Sequence, residues 1–295
     1  MAEFSPADVR LILDEALKMK ALRRARVPYV PLRGRTLAMV FQKPSNRTRV
    51  SFEVGMYQLG GHALHLSPEE LQIGKRETPG DTGRVLARYI DAIMVRTFDH
   101  EELEELAAAA DVPVINGLSD THHPCQALAD LLTVSEEFGT TEGVKISYVG
   151  DGNNVAHSLA IACALTGAGL TIAHPEGHAP DPTIVELAGK LGAAPVLTQD
   201  PREASSGAQV IYTDVWASMG QEAEASERKK KFAPYQVNEE LMELADENAI
   251  FLHCLPAHRG EEVTAEVIDG PRSRVLDQAE NRLHAQKALL YLLLS

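Results

Sequence analysis

Nine short apolar or β-branched runs punctuate this chain, and helix-length segments separate them. In the first half they lie at 37–41, 62–66, 92–95 and 112–115; in the second, at 146–149, 170–173, 195–198, 210–213 and 250–253. Most are continuously apolar and do not alternate, the pattern of parallel strands covered on both faces. Between them, Val50, Val54 and Tyr57 share one helical face, which Gly60 and Gly61 close. Pro182 stands where a first helical turn tolerates it. Such β-α alternation restricts the fold to α/β, with two doubly wound parallel-sheet domains. A length of 295 residues suits two domains at roughly 100–200 residues each. "PCQALADLLTVSEEFG", from Pro124, keeps helical spacing without a break and reads as an interdomain helix ending near Gly139. A second helix spans 279–294, with Leu283, Leu290 and Leu294 on one side. The expected division is residues 1–133, completed by the C-terminal helix 280–295, and residues 134–279.

Charge narrows the function. The formal net charge is -14, and no basic face of the kind nucleic acid requires is expected. An anionic ligand meets an unfavourable mean field, so any anion site must be a local positive cluster in a cleft. No run of about 18 uncharged apolar residues exists, so no membrane span is expected. The start, "MAEFSPADVR", lacks the basic and apolar regions of a signal peptide. The basic stretch "KMKALRRARVP" reads as a solvated helix face. Cys125, Cys163 and Cys254 are sparse, odd in number and without a CxxC pair. They point to reduced thiols in a cytoplasm, with neither a disulfide framework nor a zinc site.

The stretch "FQKPSNRTRVSFEVG", 41–55, packs cations and hydrogen-bond donors between a strand and a helix. A helix N-terminus offers unpaired N–H groups to phosphate. The hydroxyls of Ser45 and Thr48 add donors, and Arg47 adds a fork that can hold two oxygens. The competing reading is a plain helix cap at Ser45 with surface arginines. Arg96 ends another strand, and His123, Pro124 and Gln126 follow a third. Ligands of open α/β sheets bind at the carboxyl ends of strands. A guanidinium, an imidazole and a hydroxyl meeting there could stabilise a carbonyl oxygen as it gains charge.

In the second half, "VGDGNNVAHS" places Asn153 and Asn154 at a strand-to-helix turn. It resembles a dinucleotide fingerprint poorly, because Val155 occupies the third glycine position. "TDVWASMGQE" sets Asp214 at a strand end, as a partner for a substrate ammonium or as a helix cap, ahead of Ser218 and Met219. "FLHCLPAHRGEEVT" presents Cys254 and Leu255 at a further strand end, with a buried structural thiol as the alternative. "AENRLHAQ" puts Arg282 at the start of the last helix.

Together these stretches resemble the aspartate/ornithine carbamoyltransferase family over nearly the whole chain. The carriers are S-x-R-T-R at 45–49, H-P-x-Q at 123–126, D-x-W-x-S-M-G at 214–220 and H-C-L-P at 253–256. The last two resemble the ornithine branch. The resemblance implies carbamoyl transfer from carbamoyl phosphate to the δ-amine of L-ornithine, without a metal or organic cofactor. It implies that Ser45, Asn46, Arg47 and Thr48 hold phosphate. Arg96 would span phosphate and carbonyl, His123 and Thr48 would help polarise that carbonyl, Gln126 would receive the carbamoyl amide, and Pro124 would join the carbamoyl phosphate site. Cys254, Leu255 and Arg282 would stand beside carbamoyl phosphate, and Gln72 would serve a neighbouring subunit of a homotrimer or a multiple of trimers. Asn154, Asp214, Ser218 and Met219 would hold ornithine. Arg96, His123, Asp214 and Cys254 are the expected catalytic residues, and 261–274 the expected lid. Asn46 departs from the family's usual threonine. Rival readings are a sibling transferase using putrescine, an acylated ornithine or aspartate, an NAD-dependent dehydrogenase, and a non-catalytic interaction protein.

Overall fold

A computed structural model of the protein describes residues 1–71, 77–217 and 225–295. The chain divides into two compact units, one of Arg10–Leu128 with Arg282–Ser295, the other of Met1–Val9 with Ala129–Asn281.

From the N-terminus run α1 (Pro6–Arg24), β1 (Thr36–Phe41), α2 (Asn46–Gln58), β2 (His62–Leu66), α3 (Pro68–Leu71), α4 (Pro79–Leu86), β3 (Ala92–Arg96), α5 (His100–Ala109), β4 (Val114–Leu118) and α6 (Pro124–Phe138). The four strands form a parallel sheet in the order β2-β1-β3-β4. β3 is buried along its whole length, whereas the edge strand β2 is partly exposed throughout. Ala38, Val40, Ile93 and Val95 pack with Leu103 and Leu106 of α5, each large side chain contributing about 1.5–3 kcal/mol of burial. α2 begins where Ser45 accepts a hydrogen bond from the Thr48 N–H. It ends before Gly60, whose positive φ of 87° suits a residue without Cβ.

The chain continues through β5 (Lys145–Val149), α7 (Asn154–Thr166), β6 (Gly169–Ala173), α8 (Pro182–Leu191), β7 (Val196–Thr198), α9 (Pro201–Ser205), β8 (Val210–Thr213), α10 (Ala225–Phe232), α11 (Glu239–Leu244), β9 (Ile250–His253), α12 (Ala265–Ile268) and α13 (Val275–Leu294). Five parallel strands lie in the order β7-β6-β5-β8-β9. Alternate residues feed different cores. Ile146, Tyr148, Val210, Tyr212, Ile250 and Leu252 join one cluster with α7. Val149, Ile211 and Phe251 join another. Both faces are therefore covered, which is why these strands read as unbroken apolar runs.

Two elements differ by more than one residue from the ranges read in the sequence. The fourth strand starts at Val114 and continues to Leu118, not 112–115. Asn116 and Gly117 lie within this strand, and a Cβ on Gly117 would lie 2.4 Å from Met94 Sδ, so the position favours glycine. The last helix begins at Val275, so Arg282 sits two turns inside it and not at its start. Within the expected lid, α12 is helical and Ser273 bridges to Phe251.

Candidate active site

In the first sheet the strand order reverses beside β1 and β3, the switch point where ligands of doubly wound folds collect. Ser45 follows β1, Arg96 ends β3, and His123 follows β4. The β3–β4 register shifts between Val95 and Arg96, an irregularity that re-aims a side chain at a strand end. Thr48 is fully buried. Its Oγ1 accepts from Arg282 Nη2 at 2.8 Å and from Ser45 Oγ at 3.2 Å. Ser45 is thus the cap that the bland reading expected, and the cap itself gathers donors at the N-terminus of α2. Asn46 and Arg47 are exposed on that first turn. Arg49 is not part of the cluster, because it pairs with Glu53 along the exposed helix face at 3.3 Å.

Arg96, His123, Gln126 and Arg282 are all buried. Burial, then the charges of Arg282, Arg96, Arg47 and Lys43, hold the His123 pKa well below the ordinary histidine value. The imidazole is therefore neutral at pH 7, a hydrogen-bonding group set among four cations. Lys43, a cation of the same 41–55 stretch, belongs to this cluster; its Nζ lies 4.7 Å from the Phe98 ring centroid. Pro124 opens α6, and Gln126 lies in its first turn.

The sign of the His123 shift sets an expectation for stability. The unfolded chain takes up a proton near pH 6.5, while the fold resists it. This contribution is present above about pH 6.5 and is lost as pH falls toward the lower folded value. His123→Asn should therefore shrink the drop in melting temperature between about pH 8 and about pH 5. Equal drops in the variant and the parent would show that the shift is absent.

The second unit builds a different cluster, again around a switch point, between β5 and β8. Asp214 follows β8 and is buried. It accepts from Cys254 Sγ at 3.0 Å through one oxygen and from Asn153 Nδ2 at 2.8 Å through the other. Asp214 is therefore a hydrogen-bonded acceptor of this cluster, not a cap for any helix among the described residues. Asn153 caps α7 by accepting from the N–H groups of Val155 and Ala156, so its amide is spent orienting Asp214. Asn154 is the first residue of α7. Gly152 of the Gly-rich turn serves a close backbone approach: a Cβ there would stand 2.2 Å from Pro180 N. Cys254 and Leu255 are partly exposed at the end of β9. His253 Nδ1 accepts from the Leu255 N–H at 2.8 Å, and its Nε2 faces Glu262 Oε1 at 3.2 Å. Both ring nitrogens are used by the protein. Gln72, Ser218 and Met219 lie outside the described residues.

Two doubly wound units with polar clusters at their strand ends, one cationic around a neutral imidazole, the other a thiol and carboxylate, define an enzyme of anionic small-molecule chemistry. The family models agree with that division. The carbamoyl-phosphate-binding domain of aspartate/ornithine carbamoyltransferases matches residues 1–136, and their Asp/Orn-binding domain matches residues 142–293. A curated ornithine carbamoyltransferase of Anoxybacillus flavithermus is 58% identical, over 100% of this chain and 95% of its own. The anabolic ornithine carbamoyltransferase of Pyrococcus furiosus is 56% identical over the same shares. A solved ornithine carbamoyltransferase structure from Pyrococcus furiosus superposes with a TM-score of 0.96, covering 99% of this chain and 95% of that one. The chain belongs to the aspartate/ornithine carbamoyltransferase family.

Proposed function

We propose that this protein transfers the carbamoyl group of carbamoyl phosphate to the δ-amine of L-ornithine, giving L-citrulline and phosphate. One observation carries the reading: four cations surround a buried neutral imidazole at the strand ends of the first sheet. In a chain of net charge -14, such a local gathering of positive charge suits an anionic ligand. Its ornithine carbamoyltransferase relatives span the whole chain.

In this mechanism the N-terminus of α2, with Ser45, Asn46, Arg47 and Thr48, holds the phosphate. Arg96 spans a phosphate oxygen and the carbonyl oxygen, with Arg282 alongside. The neutral His123 and the Thr48 hydroxyl donate to the carbonyl oxygen, and Gln126 accepts from the carbamoyl amide near Pro124. Asn154 and Asp214 bind the amino acid, with Ser218 and Met219 assigned to its α-groups. The neutral δ-amine attacks the carbonyl carbon. A C–N bond forms, and the tetrahedral oxyanion collapses. The C–O bond to phosphate breaks, and its electron pair leaves with phosphate. One amine proton must depart, and the hydrogen-bonded pair of Cys254 and Asp214 is positioned to manage it.

The discriminating experiment compares ornithine, putrescine, acetylornithine and aspartate as acceptors. Carbamoylation with ornithine far ahead of the rest is expected; a preference for any other acceptor overturns the reading. Cys254→Ser keeps a hydroxyl in place of the thiol but weakens its acidity. A fall in kcat of about tenfold or more is expected, with carbamoyl phosphate affinity kept, as for an interaction made mainly in the transition state. Wild-type turnover in a normally melting variant would make the thiol structural.

We also infer a homotrimer or a multiple of trimers, with Gln72 serving a neighbour's site. Sedimentation of a fully active monomer at assay concentration would refute it. Among the described residues no helix is long and apolar enough to cross a membrane. The three cysteines, none of them in a disulfide, support a cytoplasmic placement.

A further inference from the structure

β9 is the outer strand of its sheet, so one row of its backbone groups has no strand to meet. The N–H of Phe251 in that row donates to the Arg272 carbonyl, and its carbonyl accepts from the Arg274 N–H. The next outward N–H, that of His253, donates instead to a side chain, Gln278 Oε1, at 2.9 Å. Gln278 is fully buried in the first turns of α13. Its amide can be oriented only one way, because oxygen must face the His253 N–H. The nitrogen then donates to Asp130 Oδ1 of α6 at 2.6 Å and to the Tyr212 hydroxyl of β8 at 3.2 Å.

His253 opens the turn that carries the thiol. Its Nδ1 accepts from the Leu255 N–H, and Leu255 has a positive φ of 57°, a backbone region that branched residues rarely occupy. Such a conformation persists only where its surroundings over-determine it. The imidazole holds Leu255, and Gln278 holds the backbone from which that imidazole hangs.

We propose that Gln278, oriented by Asp130, is a positioning residue for the Cys254–Leu255 turn. The bridge links α6, α13 and the end of β9, and it sets where the thiol and the Leu255 backbone stand. It rests on the reading that Cys254 assists the transfer, so the test includes a readout that does not depend on turnover.

Two variants are informative. Gln278→Ala removes both arms of the bridge. Its kcat should fall about tenfold or more, with carbamoyl phosphate affinity within about twofold of wild type. The rate of Cys254 alkylation by iodoacetamide should also change by about threefold or more. That rate reports Cys254 because the other thiols are buried, Cys125 with a pKa pushed up to about 11 and Cys163 raised further by burial. Gln278→Glu retains an oxygen for the His253 N–H but presents its second oxygen to the Asp130 carboxylate. Only a protonated Glu can donate there, so the variant's kcat relative to wild type should decline as pH rises. Position 278 meets Asp130 on α6, the Tyr212 hydroxyl on β8 and the His253 N–H on β9, and Cys254, Asp214 and Tyr148 act on Tyr212 in turn. Tyr212 stays a neutral phenol throughout, since burial and then the Asp130 charge raise its pKa.

Wild-type kcat and wild-type alkylation in Gln278→Ala would overturn the proposal. Should Gln278→Ala fail to fold, a constant kcat ratio for Gln278→Glu across pH would overturn it instead. If the parent protein makes no citrulline, the functional reading fails, and the alkylation rate alone decides the positioning role.

Discussion

Arg96→Ala should lower kcat for citrulline formation by about 10²–10³-fold, the usual cost of deleting a preorganised donor to a developing oxyanion. Arg96 ends β3 at the register shift and is nine-tenths buried, so water cannot fully replace its guanidinium. Two consequences should accompany the loss. The ornithine KM should change little, because Arg96 lies in the unit that lacks Asp214 and Cys254. The His123 pKa should rise, since Arg96 is the second of the cations that depress it; a proton NMR titration of the imidazole reads this directly. A kcat within threefold of wild type in a folded variant would remove Arg96 from the chemistry.

Asp214→Asn should lower kcat/KM for ornithine by about 10–100-fold, from the loss of a charged hydrogen-bond partner worth about 1.5–3 kcal/mol. The substitution keeps the shape of the side chain. An amide oxygen can still accept from Asn153 or from Cys254 Sγ, which now meet Asp214 at 2.8 Å and 3.0 Å. What disappears is the negative charge available to an ammonium or to a departing amine proton. Carbamoyl phosphate affinity, measured by calorimetry, should stay at the wild-type level. A parallel loss of carbamoyl phosphate binding would mean that the variant disturbs the fold, and unchanged kinetics would make Asp214 a structural acceptor only.

These expectations rest on groups of unequal legibility. Ser45, Arg96 and Asp214 stand at the ends or just beyond the ends of apolar runs, so strand periodicity alone assigns them to the rim where ligands bind. Asn153 was visible as an amide in a Gly-rich turn, but its choice between substrate and Asp214 was not, because that depends on a carboxylate 61 positions away in sequence. Lys43 stood among the cations of the 41–55 stretch without a role of its own, and Gln278 carried no signal. A lysine after a strand and a glutamine in a helix are common, and only their burial makes them unusual. The N-cap reading of Ser45 holds and leaves the phosphate proposal open, since a capped helix N-terminus still presents N–H groups outward.

The pattern of apolar runs determined the α/β class, the parallel strands and nearly every strand position, because strands buried on both faces leave an unbroken record in the chain. The charge balance determined that an anion site must be local. Tertiary structure decided the rest. It decided that His123 is neutral, because burial and four cations from separate segments act on it together. It decided that Gly117 and Gly152 are contact points, because each lies against backbone or side chain distant in sequence. It decided, finally, that Gln278 reaches the His253 N–H, because β9 falls at the sheet edge and a side chain must supply the acceptor that a neighbouring strand would have given.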